Sequence, residues 1–127
     1  MSTRNGRLGE QAAERVFAYE GWTITDRQYE VLGHRVDFLA VAPDGTETLV
    51  EVKVWEGAAS GRDTVLKAIA HAYDLRTAGE NRPYLLVLSH DLRGLYHEML
   101  RRAVDAGAIS EVRVLTLVPV DFGTTKP

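Results

Sequence analysis

Cysteine is missing from all 127 residues. That excludes disulfides, thiolate zinc sites, iron–sulfur clusters and cysteine nucleophiles together. Long apolar runs are missing too: no stretch approaches the roughly 18 residues that span a bilayer, and the opening MSTRNGRLGEQ lacks the apolar segment of a secretory signal, so a cytoplasmic protein without a membrane partner is expected. There is no excess of positive charge. Fifteen Lys plus Arg face 18 Asp plus Glu for a net charge of −3, so any contact with nucleic acid must come from a local patch rather than from the whole surface. Internal repeats, linkers and low-complexity segments are likewise lacking. With 45% hydrophobic and 26% charged residues, the composition suits one soluble domain spanning 1–127 around an ordinary core.

The periodicities present an α-β-β-β-α-β-α-β order. Leu8, Ala12, Val16 and Phe17 form a helical stripe between Gly6 and Glu20, with Gly21 as a left-handed cap. Trp22 to Val31 and the run HRVDFLAVA after Gly33 are strands. Pro43-Asp44-Gly45 is turn chemistry, and Thr46 to Trp55 returns as a third strand, making a hairpin. A small polar loop, Glu56 to Arg62, leads to a second helix with Asp63 at its N-cap. Its expected apolar face is Val65, Leu66, Ile69, Ala70 and Tyr73, and Gly79 and Pro83 end it. YLLVLS from Tyr84 is too apolar for half exposure and is expected at the centre of the sheet. A third helix over Leu92 to Ala106, the strand EVRVLTLV and a frayed GTTKP tail complete an α/β domain whose mixed sheet is flanked by helices.

The informative feature is acid where the pattern wants apolar side chains. On the third strand Glu51 and Lys53 share one parity, while Val50, Val52 and Val54 take the other, so one face is expected to be core and the other chemical. Across the hairpin Asp37 interrupts Val36, Phe38 and Leu39, and the turn brings it toward Glu51. Charges half-buried in this way cost several kcal/mol each unless they are paired or bind a metal. Two carboxylates, a main-chain carbonyl between them and several waters suit Mg²⁺, with Mn²⁺ as a substitute. Lys53 beside such an ion can orient an attacking water and stabilise the added charge of a phosphorane-like transition state, which is the chemistry of phosphodiester hydrolysis. The competing interpretation is a cross-strand salt bridge on a solvated face, worth roughly 0.2–1 kcal/mol.

Asp37, then thirteen residues, then Glu51-Val52-Lys53 resembles the D-x(n)-E-x-K signature of the PD-(D/E)XK nuclease superfamily. Gly9-Glu10 on the first helix resembles the GE of its resolvase-like members, and the chain looks most like archaeal-type Holliday-junction resolvases and related small bacterial nuclease-like proteins. The resemblance implies a restriction-endonuclease-like αβββαβ core, extended here by a C-terminal helix and strand. It also implies Asp37, Glu51 and the Val52 carbonyl as metal ligands, Lys53 as the catalytic lysine and Glu10 as an additional acid near the metal. Val36 stands where the signature has proline. Lys67 and His71 occupy the helix-two face where the superfamily often has a polar residue, and they become candidate phosphate contacts.

The remaining candidates are weaker. Ser89-His90-Asp91 is no triad, because neighbours in sequence point apart. His34, His71, His90 and His97 have no zinc-ligand spacing and are expected on the surface or in turns. Gly6-Arg7-Leu8-Gly9 is either a phosphate loop or a flexible entry to the first helix. Arg4, Arg7, Arg62 and Lys67 are the candidate DNA-facing rim, with Arg101-Arg102 on helix three further from the site in chain order. The resulting expectation is a metal-dependent DNA endonuclease without an organic cofactor. It acts as a homodimer, because cutting two strands needs two sites, and helix three and the last strand are the expected interface. The alternative is a catalytically inactive domain of the same fold, acting as a nucleic-acid or protein interaction module in a defence or repair assembly.

Overall fold

The computed structural model describes residues 4–53, 61–89, 94 and 96–115, with side chains from residue 8 onward. In chain order the elements are α1 (Arg4–Tyr19), β1 (Thr23–Val31), β2 (His34–Val41), β3 (Glu47–Lys53), α2 (Gly61–Thr77), β4 (Tyr84–Ser89), α3 (His97–Asp105) and β5 (Glu111–Leu115). They follow the αβββαβαβ order that the periodicity predicts. Expectations for Val54 to Ser60, His90 to Arg93, Leu95 and the tail from residue 116 lie outside the described residues.

The strands form one mixed sheet in the spatial order β1-β2-β3-β4-β5. The first three make an antiparallel meander, whereas β4 runs parallel to both β3 and β5. The sheet separates two apolar layers. On one side Ala13 and Phe17 of α1 pack on Phe38, Ala40, Val50, Val52, Leu85 and Val87. On the other, Val65, Ala68, Ala72 and Leu75 of α2, with Leu100 and Ala103 of α3, cover Val36, Leu39, Leu49, Tyr84, Leu86 and Leu88. Every residue of β4 is buried, as its composition requires, but the central position belongs to β3.

Four further expectations are corrected. The buried face of α2 is Val65, Ala68, Ala72 and Leu75, while Ala70 and Tyr73 are exposed; the buried positions recur at three- and four-residue steps, so the stripe is a helical one rotated from the expected face. The helix begins at Gly61, which puts Asp63 inside its first turn, where the dipole favours an acid, instead of at the cap. Gly6 to Gly9 is helical and forms no phosphate loop. Finally, both faces of β3 are covered, since Leu49 is fully buried on the face that carries Glu51.

β2 is irregular at one point. Val36 and Phe38 are two residues apart and would share a face in a regular strand, yet they enter opposite apolar layers. Pairing with β3 runs from Val41↔Glu47 to Phe38↔Val50 and does not continue to Asp37. Pairing with β1 also skips the position opposite Asp37, where Gln28 takes a positive φ of 51°. The β1–β2 connection is a two-residue turn closed by the Val31↔His34 pair, and its central residues Leu32 and Gly33 have φ of 48° and 82°. Leucine in that region costs roughly 1–2 kcal/mol.

Candidate metal-dependent site

Where the β2–β3 ladder stops, side chains take over its hydrogen bonds. The Asp37 N–H donates to Glu51 Oε1 at 3.1 Å, and the Val52 N–H donates to Asp37 Oδ2 at 2.7 Å. Asp37 and Glu51 therefore bridge the gap reciprocally. In a strand the N–H and C=O of one residue face the same edge. The Val52 carbonyl thus also faces the opening toward β2, consistent with the Leu49 N–H pointing the other way, to the Pro83 carbonyl of the β4 side.

Lys53 closes the group, its Nζ lying 3.1 Å from Glu51 Oε2. Burial at the two residues differs: the Glu51 side chain is 6% exposed and that of Lys53 32%, so the ammonium sits at the mouth and the carboxylate below it. Glu10 joins from α1. Burial, the neighbouring Asp37 charge and a hydrogen bond between the two carboxyls push its pKa up to about 7. Glu51 is also raised to about 7, chiefly by burial and then by Asp37, against the lowering effect of Lys53. Among the described residues three carboxyl groups thus share one ammonium, and two of them hold their protons to near neutrality, first because burial penalises their charged forms and then because Asp37 repels them.

A buried hydroxyl lies in the same field. Among the described residues Tyr84 OH has no hydrogen-bond partner, and its ionisation is suppressed by burial and by the charges of Glu51 and Asp37.

A second cluster borders the mouth. His34 Nε2 bonds Asp74 Oδ2, and the His34 ring packs against that of His71 with centroids 4.8 Å apart. His71 is held below its usual pKa by burial, then by His34 and Lys53, so the neutral imidazole is favoured beside the lysine. These residues are 37 and 40 positions apart in the chain, and neither is a simple surface or turn histidine; sequence spacing carries no sign of their meeting. Of the expected phosphate contacts, His71 thus lies near the site. Lys67 is 73% exposed and 3.9 Å from Asp63, and Arg62 is exposed in the first turn of α2. Arg4 and Arg7 belong to α1, but their side chains lie outside the described residues. Arg101 is held by Glu98 and Asp105 on α3.

The donor set suits a hard dication: carboxylate oxygens, a main-chain carbonyl edge and unbalanced negative charge. Among the described residues no group of three or more acidic or histidine side chains is arranged so that they could together hold a metal ion, so side chains alone do not complete a cage here. Asp37 and Glu51 each give an oxygen to a main-chain N–H, but a carboxylate has about four acceptor positions, so capacity remains. A cation would compete here with the protons of Glu10 and Glu51.

Comparison with known proteins finds the fold in solved structures. An fdxN element excision controlling factor protein from Anabaena variabilis matches with TM-score 0.66 at 17% identity, over 85% of this chain and 91% of its own. EndoMS in a complex with dsDNA matches with TM-score 0.53 at 17% identity over 95% of this chain, and a repair endonuclease from Pyrococcus abyssi with TM-score 0.51 at 16% over 91%. The chain spans 48% of each of these last two. No protein-family model and no curated protein matches. The five-stranded mixed sheet with flanking helices is compatible with a restriction-endonuclease-like core. Among the described residues no helix is long and apolar enough to cross a membrane.

Proposed function

We propose that this chain is a metal-dependent DNA endonuclease of the PD-(D/E)XK type, resolvase- or restriction-like, working as a homodimer. The observation that carries the reading is the meeting of Glu10, Asp37, Glu51 and Lys53 at the one place where the β2–β3 ladder opens. One buried and two half-buried acids around a single lysine are a poor device for stability, since unpaired charge withdrawn from water is costly. They form a suitable cradle for a dication facing a phosphate.

In this reading Asp37, Glu51 and the Val52 carbonyl hold Mg²⁺ or Mn²⁺, with Glu10 as a further acid beside them. The ion supplies Lewis-acid polarisation and neutralises charge on the phosphoryl oxygens. Lys53, at the mouth, orients the attacking water and stabilises the charge that builds on the phosphoryl group as the P–O bond to the leaving strand breaks. His71, Lys67, Arg62, Arg4 and Arg7 supply phosphate contacts. With so few cations, DNA affinity falls steeply with salt, by roughly one unit of log–log slope per phosphate contacted. The DNA in one EndoMS structure and the repair activity named for the Pyrococcus abyssi protein support the choice of substrate.

A second reading is favoured by the neighbour of nearly equal length, which is named as a factor controlling excision rather than as a nuclease. The chain is then a non-catalytic module of the same fold that binds nucleic acid or protein within a defence or repair assembly. Incubation with labelled junction, flap, single-stranded and duplex DNA, with and without Mg²⁺, separates the two. Metal-dependent cleavage that disappears in Asp37→Asn while DNA binding persists supports the enzyme. Binding without cleavage under every metal condition selects the module.

A further inference from the structure

β4 places one polar atom where the packing asks for none. Tyr84 opens the strand and is fully buried in the layer that α2 covers, and every other buried member of that layer is aliphatic. A phenylalanine ring would fill the same space. The chain instead carries a hydroxyl that, among the described residues, has no hydrogen-bond partner. An unmet buried donor is costly, so its retention points to a group that it serves. The strand end that carries the ring is fixed: the Tyr84 N–H donates to Ser110 Oγ at 3.0 Å, and the Tyr84 carbonyl accepts from the Ser110 N–H at 2.8 Å.

The sheet register puts this hydroxyl beside the candidate site. β3 and β4 pair in parallel, with Leu49 opposite Tyr84 and Glu51 opposite Leu86. Leu49, Tyr84 and Leu86 all enter the layer under α2, and Glu51 shares the parity of Leu49, so Glu51 and Tyr84 stand on one face as diagonal neighbours. Diagonal positions on adjacent strands are about 7–8 Å apart, within reach of an aromatic side chain. Both residues are buried, and the charges of Glu51 and Asp37 oppose ionisation of the phenol, which therefore keeps a proton to donate. On Glu51, Oε1 accepts from the Asp37 N–H and Oε2 faces Lys53 Nζ, which leaves acceptor positions on both oxygens.

We propose that Tyr84 is a positioning residue for the candidate metal site: its hydroxyl donates, through one buried water, to the Glu51 carboxylate and fixes the orientation in which Glu51 holds a divalent cation. The inference rests on the metal-binding reading above and deepens it by adding a residue from β4 to a site otherwise built from the hairpin and α1. Polar groups too far apart for a direct bond are joined by a water almost as favourably as by direct contact, and the phenol and the carboxylate supply the two polar partners that such a water needs. A carboxylate that binds a metal is commonly oriented by a hydrogen-bond partner behind it, and loss of that partner costs about 10–100-fold in metal affinity.

The test measures Mn²⁺ binding without DNA, from the electron paramagnetic resonance signal of the free ion, for wild type, Tyr84→Phe and Asp37→Asn. Thermal unfolding in chelator is recorded for the same three proteins. Wild type is expected to bind the ion and Asp37→Asn to lose it. Tyr84→Phe keeps the ring and removes only the hydroxyl, so it is expected to weaken Mn²⁺ affinity about tenfold, with no fall in the metal-free melting temperature. A residue that merely fills the core would leave the affinity where it was. Mn²⁺ affinity of Tyr84→Phe within about twofold of wild type overturns the assignment, being short of what an orienting partner supplies. So does a weakened affinity accompanied by a lower metal-free melting temperature, which would make the hydroxyl a support of the fold. If wild type binds no Mn²⁺, or Asp37→Asn binds it as tightly, the metal-binding reading falls and the proposal with it; if only Tyr84→Phe behaves as wild type, the tyrosine assignment alone falls.

Discussion

Two glutamates with little exposed surface behave in opposite ways. Glu80, 9% exposed, is bonded by the Arg82 guanidinium and held below the usual carboxylate range. Glu51, 5% exposed, is pushed up to about 7. Arg82 also packs over the Tyr29 ring, and Arg76 next to it donates to the carbonyls of Glu80, Arg82 and Ala108, so that corner of the fold is saturated. Around Glu51 one ammonium serves three carboxyls. Burial is the first cause of the upward shift at Glu51, with the Asp37 charge second, whereas at Glu80 the hydrogen bonds from Arg82 outweigh it, and that cluster also holds the α2–β4 connection in place.

The largest expected effect separates the clusters by activity. Lys53→Ala should lower the metal-dependent cleavage rate by about 10²–10³-fold, the range seen when a charge-stabilising group is removed, whereas Arg82→Ala should leave the rate per folded molecule unchanged. Equal losses in a cleavage assay corrected for folded fraction would erase the functional distinction. In stability the roles reverse. Arg82→Ala strands Glu80 and should cost about 2 kcal/mol by urea titration, less than a deeply buried pair because the Arg82 side chain is 27% exposed.

Next comes the response to a cation. Mn²⁺ at about 100 times its dissociation constant should stabilise the wild type by about 2.7 kcal/mol in thermal unfolding, and Asp37→Asn should remove that gain. An undiminished gain in the variant would put the ion elsewhere.

pH acts more weakly. Glu10 and Glu51 carry folded pKa values of about 7 against 4.5 unfolded, so their contribution to the metal-free fold is complete below about pH 4.5 and is lost as pH rises through 7. Glu14, Glu20 and Glu80 are shifted downward, and what they contribute is lost only in more acidic solution. In chelator the melting temperature should therefore fall between pH 5 and 8, by the equivalent of roughly 1–2 kcal/mol. The slope should flatten in Asp37→Asn, whose charge contributes to both upward shifts. Smallest of all, Arg113→Ala removes a surface fork on Glu20 and should cost about 0.5 kcal/mol.

Much of the architecture was legible because it is encoded locally. The positive φ of Gly21, Gly45, Gly79 and Gly107 falls where helices and the hairpin end, and strand alternation located β2 and β3 correctly. Asp37, Glu51 and Lys53 could be found because they break an apolar pattern within one hairpin. Tertiary packing decided what local pattern could not. Ala68 and Ala72 face the sheet while Ala70 and Tyr73 do not, a choice made by which side of α2 is turned to the sheet rather than by residue type. The slip that sends Val36 and Phe38 to opposite layers leaves no mark in composition, and the contact between His34 and His71 joins separate elements.

The opening of the β2–β3 ladder also bears on how the protein assembles. Asp37, Glu51 and Lys53 belong to a single antiparallel hairpin, so they become neighbours as soon as that local unit closes, an early event for contacts of short sequence separation. Glu10 arrives only when α1 docks onto the meander, and Tyr84 only when β4 joins through the α2 crossover. The repulsion that Glu10 adds to Asp37 is thus imposed by the same docking of α1 that covers one apolar face of the sheet.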